Sequence, residues 1–277
     1  MSIMAVTKYR LYNGIRAFNK WIIPYIQSRV YDSSLRPVLS YLYTDWKCNI
    51  DCHYCFQYNN NNEEGMSYET ATSAIDWLKS IGCRVIPLMG GEPLIRKDFI
   101  LDVVRYATNQ GFFVYLPTNG YLLTPDYIDK LGEAGIATIN LAVDCVSPKV
   151  GLPKALLAIE PQFRYLIKKQ EKYGYLVFFN INITSKNMRD VKMLTEIAHD
   201  NHIATDYHIN EPPQQFIDIS HYSRKGDNLY IRPDQFSEVD DLLDWIIEKN
   251  HKGYNMVNSI PHLRAMKEWI RNKPVNW

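Results

Sequence analysis

From Arg36 onward the chain repeats one unit, a short apolar run followed by an amphipathic stretch, and few folds accommodate that repetition. The apolar runs are "VLSYLYT" (38–44), "RVIPLM" (84–89), "FFVYLP" (112–117), "ATINLAVD" (137–144), "YLVFFNINIT" (175–184) and "IATDYHIN" (203–210). Between them, residues 67–82, 97–111, 124–135, 160–173 and 188–202 carry helical periodicity. Ser67 and Thr124 stand at N-cap positions, Pro125 opens the third of these helices, and Gly111 closes the second. Parallel strands joined by crossover helices satisfy such a pattern. The expectation is therefore an α/β chain built as a partial (β/α)6 parallel barrel, since a full eightfold barrel typically takes about 250 residues. Two further helical stretches, 237–250 and 260–272, follow the last strand. The expected segments are an N-terminal helical extension over 1–36, a barrel core over 37–230, and C-terminal helices over 231–277 packed on the core.

Two of the strands are unusual. In the fourth, Ile139, Leu141 and Val143 share one face, while Thr138, Asn140, Ala142 and Asp144 share the other. In the fifth, Phe179, Ile181 and Ile183 oppose Asn180, Asn182 and Thr184. A parallel strand buried only for packing is apolar on both faces. A polar inner face on neighbouring strands predicts a lumen that holds a polar ligand, the alternative being a network of satisfied buried amides. Asp206, His208 and Asn210 share a face of the sixth strand and are candidates for contact with substrate or adenine.

Charge and apolar content bound the partners. A net charge of +1 gives no reason to expect nucleic acid. No run approaches the roughly 20 apolar residues of a membrane span. Lys8, Arg10, Arg16 and Lys20 interrupt any secretory signal at the N-terminus, and Tyr9 to Tyr31 read as a short aromatic and basic extension. It is expected to be a helix packed over the core, with a membrane-surface helix as the other reading because Trp21, Ile22, Ile23, Tyr25 and Ile26 accompany the cations. Five cysteines without an export signal fit a reducing cytoplasm, where clustered cysteines signal metal more often than disulfide. The run Asn59 to Asn62, followed by Glu63, Glu64 and Gly65, is expected to be a solvated loop.

The cysteines are not scattered. Cys48, Cys52 and Cys55 lie in "CNIDCHYC" as C-x3-C-x2-C, directly after the first predicted strand. Three thiolates suit an iron–sulfur cluster with one iron open to a small molecule. Zinc, with Asp51 or His53 as a fourth ligand, is the competing reading. A second motif, "MGGEPLIRKDF" (89–99), ends the second predicted strand. "LPTNG" (116–120) and "LAVDC" (141–145) end the third and fourth.

Together these motifs resemble the radical S-adenosylmethionine (radical SAM) superfamily over roughly residues 38–210, down to the aromatic Tyr54 before the last cysteine. The likeness runs nearest to the group holding the molybdenum-cofactor cyclase, peptide maturases and the hopanoid adenosylating enzyme. The resemblance implies a [4Fe–4S] cluster on Cys48, Cys52 and Cys55, with SAM chelating the fourth iron through its amine and carboxylate. It implies that Gly90 and Gly91 admit the methionyl group, that Glu92 helps hold its amine, and that Tyr54 lies near the adenine. It places Thr118 and Asn119 near the methionyl group, and Asn140, Asp144, Asn182 and Thr184 are candidates for further cofactor contacts. Relatives often carry Ser where this chain has Ala142, so one hydroxyl contact is missing. Thr184 and Asn187 match a stretch that ends the fifth strand in relatives.

Cys145 stands where many relatives have Gly. It is either a hydrogen-atom donor to a substrate radical or a small side chain filling a strand end. Cys83, at the entry to the second strand, is expected in the core. No cysteine follows Cys145, so a single cluster is expected. "GYNMVNSIPHL" (253–263) resembles the segment that precedes a cysteine-bearing extension in several relatives, so the chain is either a one-cluster enzyme or shorter than its natural form. The short N-terminus leaves no room for a peptide-binding domain, which favours a small-molecule or lipid-like biosynthetic substrate over a peptide. Flavodoxin or ferredoxin is the implied electron donor and the cytoplasm the expected location, with peripheral membrane contact as the alternative role of the N-terminal segment. A non-catalytic zinc-binding protein is the reading from another class.

Overall fold

The computed structural model describes residues 8–30, 37–55, 64–210 and 229–271. The Asn59–Asn62 run and Glu63 lie outside the described residues. Six strands form one sheet whose order follows the chain: β1 (Leu42–Asp45), β2 (Val85–Gly90), β3 (Phe113–Thr118), β4 (Thr138–Ala142), β5 (Leu176–Ile183) and β6 (Ala204–Ile209). The pairs β1–β2, β2–β3 and β5–β6 are parallel, and the sheet is open rather than closed into a ring. Helices α3 (Tyr68–Ser80), α4 (Lys97–Asn109), α5 (Pro125–Glu133), α6 (Glu160–Tyr173) and α7 (Met188–Asp200) separate successive strands, as the periodicity predicts. Two helices precede β1, α1 (Lys8–Ala17) and α2 (Ile23–Val30), and two follow β6, α8 (Phe236–His251) and α9 (Ile260–Trp269).

Local chemistry accounts for the boundaries. Ser67 accepts the Thr70 N–H at the start of α3, and Thr124 accepts the Tyr127 N–H ahead of Pro125 at the start of α5. In α4 the apolar side chains Ile100, Leu101, Val103, Val104 and Ala107 recur at helical spacing and are buried. The helix stops where Gly111, at φ 85°, takes a left-handed conformation that other residues resist.

Two compact units share the chain. The first takes residues 1–49, 61–140 and 161–177. Its core includes Ile75, Ile86, Leu88, Leu116 and Ile128, all fully buried. A further cluster joins Val85, Phe113 and Ala137, with Ala17 and Leu39 packed against it. Between α1 and α2 the backbone runs as a π-helical stretch, Phe18–Ile22. Pro24 stands two residues further on, and a proline, having no N–H, removes one rung of the α-helical ladder there.

The second unit takes residues 50–60, 141–160 and 178–277. Its buried side chains include Phe179, Ile181, Ile183, Tyr207, Leu194, Leu243 and Leu263. Helix α7 packs on β6 and on α8, and α8 packs on α9. In the β5–β6 register, Asn180 pairs with Asp206 and Asn182 with His208. Burial alternates along β5, so that Phe179, Ile181 and Ile183 are buried while Asn180 and Asn182 stay half-buried. The two faces predicted for β5 are thus present, and the polar one keeps access to solvent.

Candidate active site

The first unit gathers one polar knot where β2 and β3 end. The Gly91 N–H donates to Asp45 O (3.0 Å) and the Glu92 N–H to Lys47 O (2.8 Å), so the residues after β2 are stitched to the segment leading into Cys48. Gly90 has φ 148°, and a Cβ there would lie 2.2 Å from Asp45 O. On Gly91 a Cβ would lie 2.0 Å from Lys47 O. The glycine pair is demanded by the chain's own backbone, a reason more local than the approach of a methionyl group.

Glu92 is buried and its carboxylate organises the knot. Its Oε1 accepts the Thr118 hydroxyl (2.7 Å) and the Leu94 N–H (3.1 Å), and its Oε2 accepts the Asn119 N–H (2.8 Å). Asn119 then donates from Nδ2 to Asn49 Oδ1 (2.8 Å) and accepts the Tyr121 N–H (3.1 Å). Thr118 and Asn119, read as cofactor contacts, are therefore also the fasteners of this strand end. Asn140 is buried in β4, and its Oδ1 has no hydrogen-bond partner among the described residues. A buried amide oxygen left without a donor is costly unless a ligand or water supplies one.

The second unit gathers another knot around Asp144, which is 1 % exposed. Its Oδ2 accepts the Tyr54 hydroxyl (2.6 Å) and its Oδ1 the Asn182 N–H (3.0 Å). Burial raises the Asp144 carboxyl above its ordinary range, against the opposing pull of Lys154, Tyr54 and Asn182. Burial and the neighbouring Asp144 push the Tyr54 phenol well up, so Tyr54 remains a donor. The Lys154 ammonium lies 5.3 Å from the Tyr54 ring centroid.

Asn187 ties this knot to the end of β5. Its Nδ2 donates to Asp144 O (2.7 Å) and Asn182 O (2.8 Å), while its Oδ1 accepts the Thr184 N–H (2.7 Å) and hydroxyl (3.0 Å). Thr184 is fully buried, and its hydroxyl is committed to Asn187, which places it in the frame of the strand end rather than toward a cofactor. Asn182 stays half-buried on the polar face of β5, with its backbone N–H used by Asp144.

The remaining candidates sort by accessibility. His208, a candidate for contact with substrate or adenine, is exposed, and its Nε2 stands 3.4 Å from Asp206 Oδ2. In β6, every second side chain turns away from the core, and His208 occupies such a position. Cys145 is buried among Leu152, Ala155 and Leu229, with Tyr54 packed against the cluster. Its thiol donates to Leu152 O (3.3 Å) and Lys154 O (3.6 Å), and burial pushes it up to about 12. That geometry favours the strand-end filler over the hydrogen donor. Cys83 is fully buried and donates to Val85 O (3.5 Å), a core position as expected.

Asn49, Lys154 and Asp190 were not singled out from the sequence. Asn49 sits inside the cysteine motif, where an amide beside a ligand could have signalled a tether. Lys154 and Asp190 had no local signal, because Asp190 acts from the first turn of α7 by accepting the Val146 N–H (3.0 Å) and pairing with Lys149.

Cys48, Cys52 and Cys55 are in no disulfide, and Cys48 and Cys55 are half-buried. The Cys55 N–H donates to Cys52 O (2.9 Å), closing the x2 turn. Among the described residues no three Cys, His, Asp or Glu side chains converge as ligands of one metal ion. A polynuclear iron–sulfur cluster takes its thiolates on separate irons, and three soft thiolate donors fit that group.

Comparison with known proteins gives the same direction. The model of the radical SAM superfamily matches residues 47–198. An AdoMet-dependent heme synthase of Methanosarcina barkeri is 28 % identical over 158 residues, which is 54 % of this chain and 44 % of that protein. A probable GTP 3′,8-cyclase of Methanococcus maripaludis is 35 % identical over 105 residues, 37 % of this chain and 35 % of that protein. The chain thus spans less than half the length of these curated relatives. Among solved structures, Streptococcus suis SuiB bound to S-adenosylmethionine superposes with a TM-score of 0.63 at 16 % identity, covering 82 % of this chain and 52 % of that one.

Proposed function

The chain belongs to the radical SAM superfamily, and we propose that it is an enzyme of that family acting on a small-molecule or lipid-like biosynthetic substrate. The family works with a [4Fe–4S] cluster and SAM; the cluster, once reduced by an external donor, would supply the one electron that cleaves SAM to methionine and a 5′-deoxyadenosyl radical. Cys48, Cys52 and Cys55 would hold the cluster, and the Glu92–Thr118–Asn119 knot would hold the methionyl end of SAM. Tyr54, fixed by Asp144, would present its ring to the adenine. The solvent-reached polar face of Asn180, Asn182, Asp206 and His208 would receive polar groups of the ligand. Flavodoxin or ferredoxin would deliver the electron, and the N-terminal segment would make a peripheral membrane contact.

The observation that carries the reading is the pair of backbone bonds from Gly91 and Glu92 to Asp45 and Lys47. They bind the GGEP turn to the segment that leads into Cys48. The test is anaerobic reconstitution with iron and sulfide, then addition of dithionite and SAM. Four irons per chain and 5′-deoxyadenosine are expected, and Cys48→Ser, Cys52→Ser or Cys55→Ser each abolishes both. Zinc alone in the purified chain, with no 5′-deoxyadenosine, would overturn the reading.

A further inference from the structure

The chain leaves β1 at Asp45, passes Cys48, Cys52 and Cys55, and stands beside β1 again at Gly65 and Met66. Both ends of that excursion are tied to the end of β1. At the entry, the Lys47 N–H donates to Asp45 Oδ1 (2.8 Å). At the return, the Met66 N–H donates to Thr44 O (2.9 Å). One guanidinium joins the two ends. Arg96 Nη1 donates to Met66 O (2.8 Å) and, at longer range, to Thr44 O (3.4 Å), and it stands 3.9 Å from Asp45 Oδ2.

The surroundings fix that guanidinium in place. Arg96 ends the short helical turn Pro93–Arg96, which Glu92 caps by accepting the Leu94 N–H (3.1 Å), so its backbone is anchored at the end of β2. Its Cζ lies 4.0 Å from the centroid of the Phe99 ring. The returning chain passes so close that a Cβ on Gly65 would lie 2.3 Å from Arg96 Nη1 and 2.5 Å from Asp45 Oδ2. The Asp45 side chain is 6 % exposed, and a buried carboxylate loses far more when its cationic partner is removed than a surface one does.

We propose that Arg96 and Asp45 are positioning residues for the cysteine-bearing segment, holding its two ends together and so setting how firmly its thiolates keep a cluster. The proposal rests on the reading of Cys48, Cys52 and Cys55 as cluster ligands. Pinning both ends of a segment reduces the chain entropy that its ligands lose on binding. With one end released, the same three thiolates hold the same cluster and surrender it faster.

The test compares the full chain with Arg96→Gln, Arg96→Lys and Gly65→Ala, the last keeping both members of the pair but driving a Cβ against them. After anaerobic reconstitution, iron release to a chelator is followed through loss of the cluster's visible absorbance. Release about tenfold faster is expected for Arg96→Gln, the effect of losing a charged hydrogen-bond donor. Smaller accelerations are expected for Gly65→Ala and for Arg96→Lys, which keeps the charge but not the plane stacked on Phe99. Arg105→Gln, which breaks an exposed ion pair with Asp102 on α4, releases iron at the unaltered rate. Hydrogen exchange of the iron-free chain separates positioning from folding. Arg96→Gln should speed exchange at the Lys47 and Met66 N–H groups about tenfold and leave Ile86 and Val114, paired between β2 and β3, unchanged. Equal iron release from Arg96→Gln and Arg105→Gln would overturn the proposal. So would faster exchange spread evenly over β2 and β3, the mark of general destabilisation. An unaltered chain that takes up no iron sinks the enzyme reading instead, and exchange at Lys47 and Met66 then decides whether the pair holds the segment's ends.

Discussion

Glu92 and Asp144 are both buried carboxylates two residues past the end of a parallel strand, yet they are held by different kinds of partner. Glu92 takes two of its bonds from backbone N–H groups, Leu94 and Asn119, and one from the Thr118 hydroxyl. Asp144 takes one from the Asn182 N–H and the shorter one from the Tyr54 hydroxyl. A backbone N–H can only donate, whereas a phenol can turn and accept. The first knot is therefore rigid scaffolding, tied into the β1–β2 backbone. The second is a linkage through a side chain of the cysteine loop, beside a polar face that solvent reaches.

Four substitutions separate the two knots, in falling order of effect. Gly91→Ala forces a Cβ to within 2.0 Å of Lys47 O and should cost about 3 kcal/mol or prevent folding, read by thermal denaturation. Glu92→Gln leaves an amide facing at least one donor that cannot invert, and should cost about 2–3 kcal/mol in a urea titration. Asp144→Asn should cost only about 1 kcal/mol, because the Tyr54 hydroxyl can accept from the new amide and a buried charge is removed. An Asp144→Asn loss larger than that of Glu92→Gln would erase the distinction. Asn182→Ala should change stability by no more than about 0.5 kcal/mol, since its backbone N–H still serves Asp144. Its side chain faces the accessible side, so SAM or substrate affinity is where its loss should show, by equilibrium binding.

The smallest effect belongs to His262, whose pKa burial lowers, outweighing the attraction of Asp206. Below its ordinary value of 6.5 the unfolded chain binds the proton more readily than the folded one. Stability therefore declines as pH falls from neutrality through 6.5 toward the depressed folded value. His262→Gln should flatten the slope by a few tenths of a kcal/mol between about pH 7.5 and 5.5, followed by urea midpoints. An unchanged slope would remove His262 as its source.

Much of this was legible in the sequence because it depends on neighbours along the chain. Alternation of apolar runs with helical periods set the six strands and the order of their helices. The Ser67 and Thr124 caps and the opposed faces of β5 followed from residue type and a period of two. Cysteine spacing and GGEP pointed to the family through residues only a few positions apart. What the sequence left open depends on separation in the chain. Gly91 meets Lys47, Tyr54 meets Asp144 and Asn187 meets Asp144 only because the fold carries them there. Accessibility belonged to the tertiary structure as well, since packing decided that Cys145 is enclosed, that His208 is exposed, and that Leu11, Ile15, Phe18 and Ile22 of the N-terminal helices face out. Periodicity shows that a helix has two faces; which face the protein covers depends on the surface it meets.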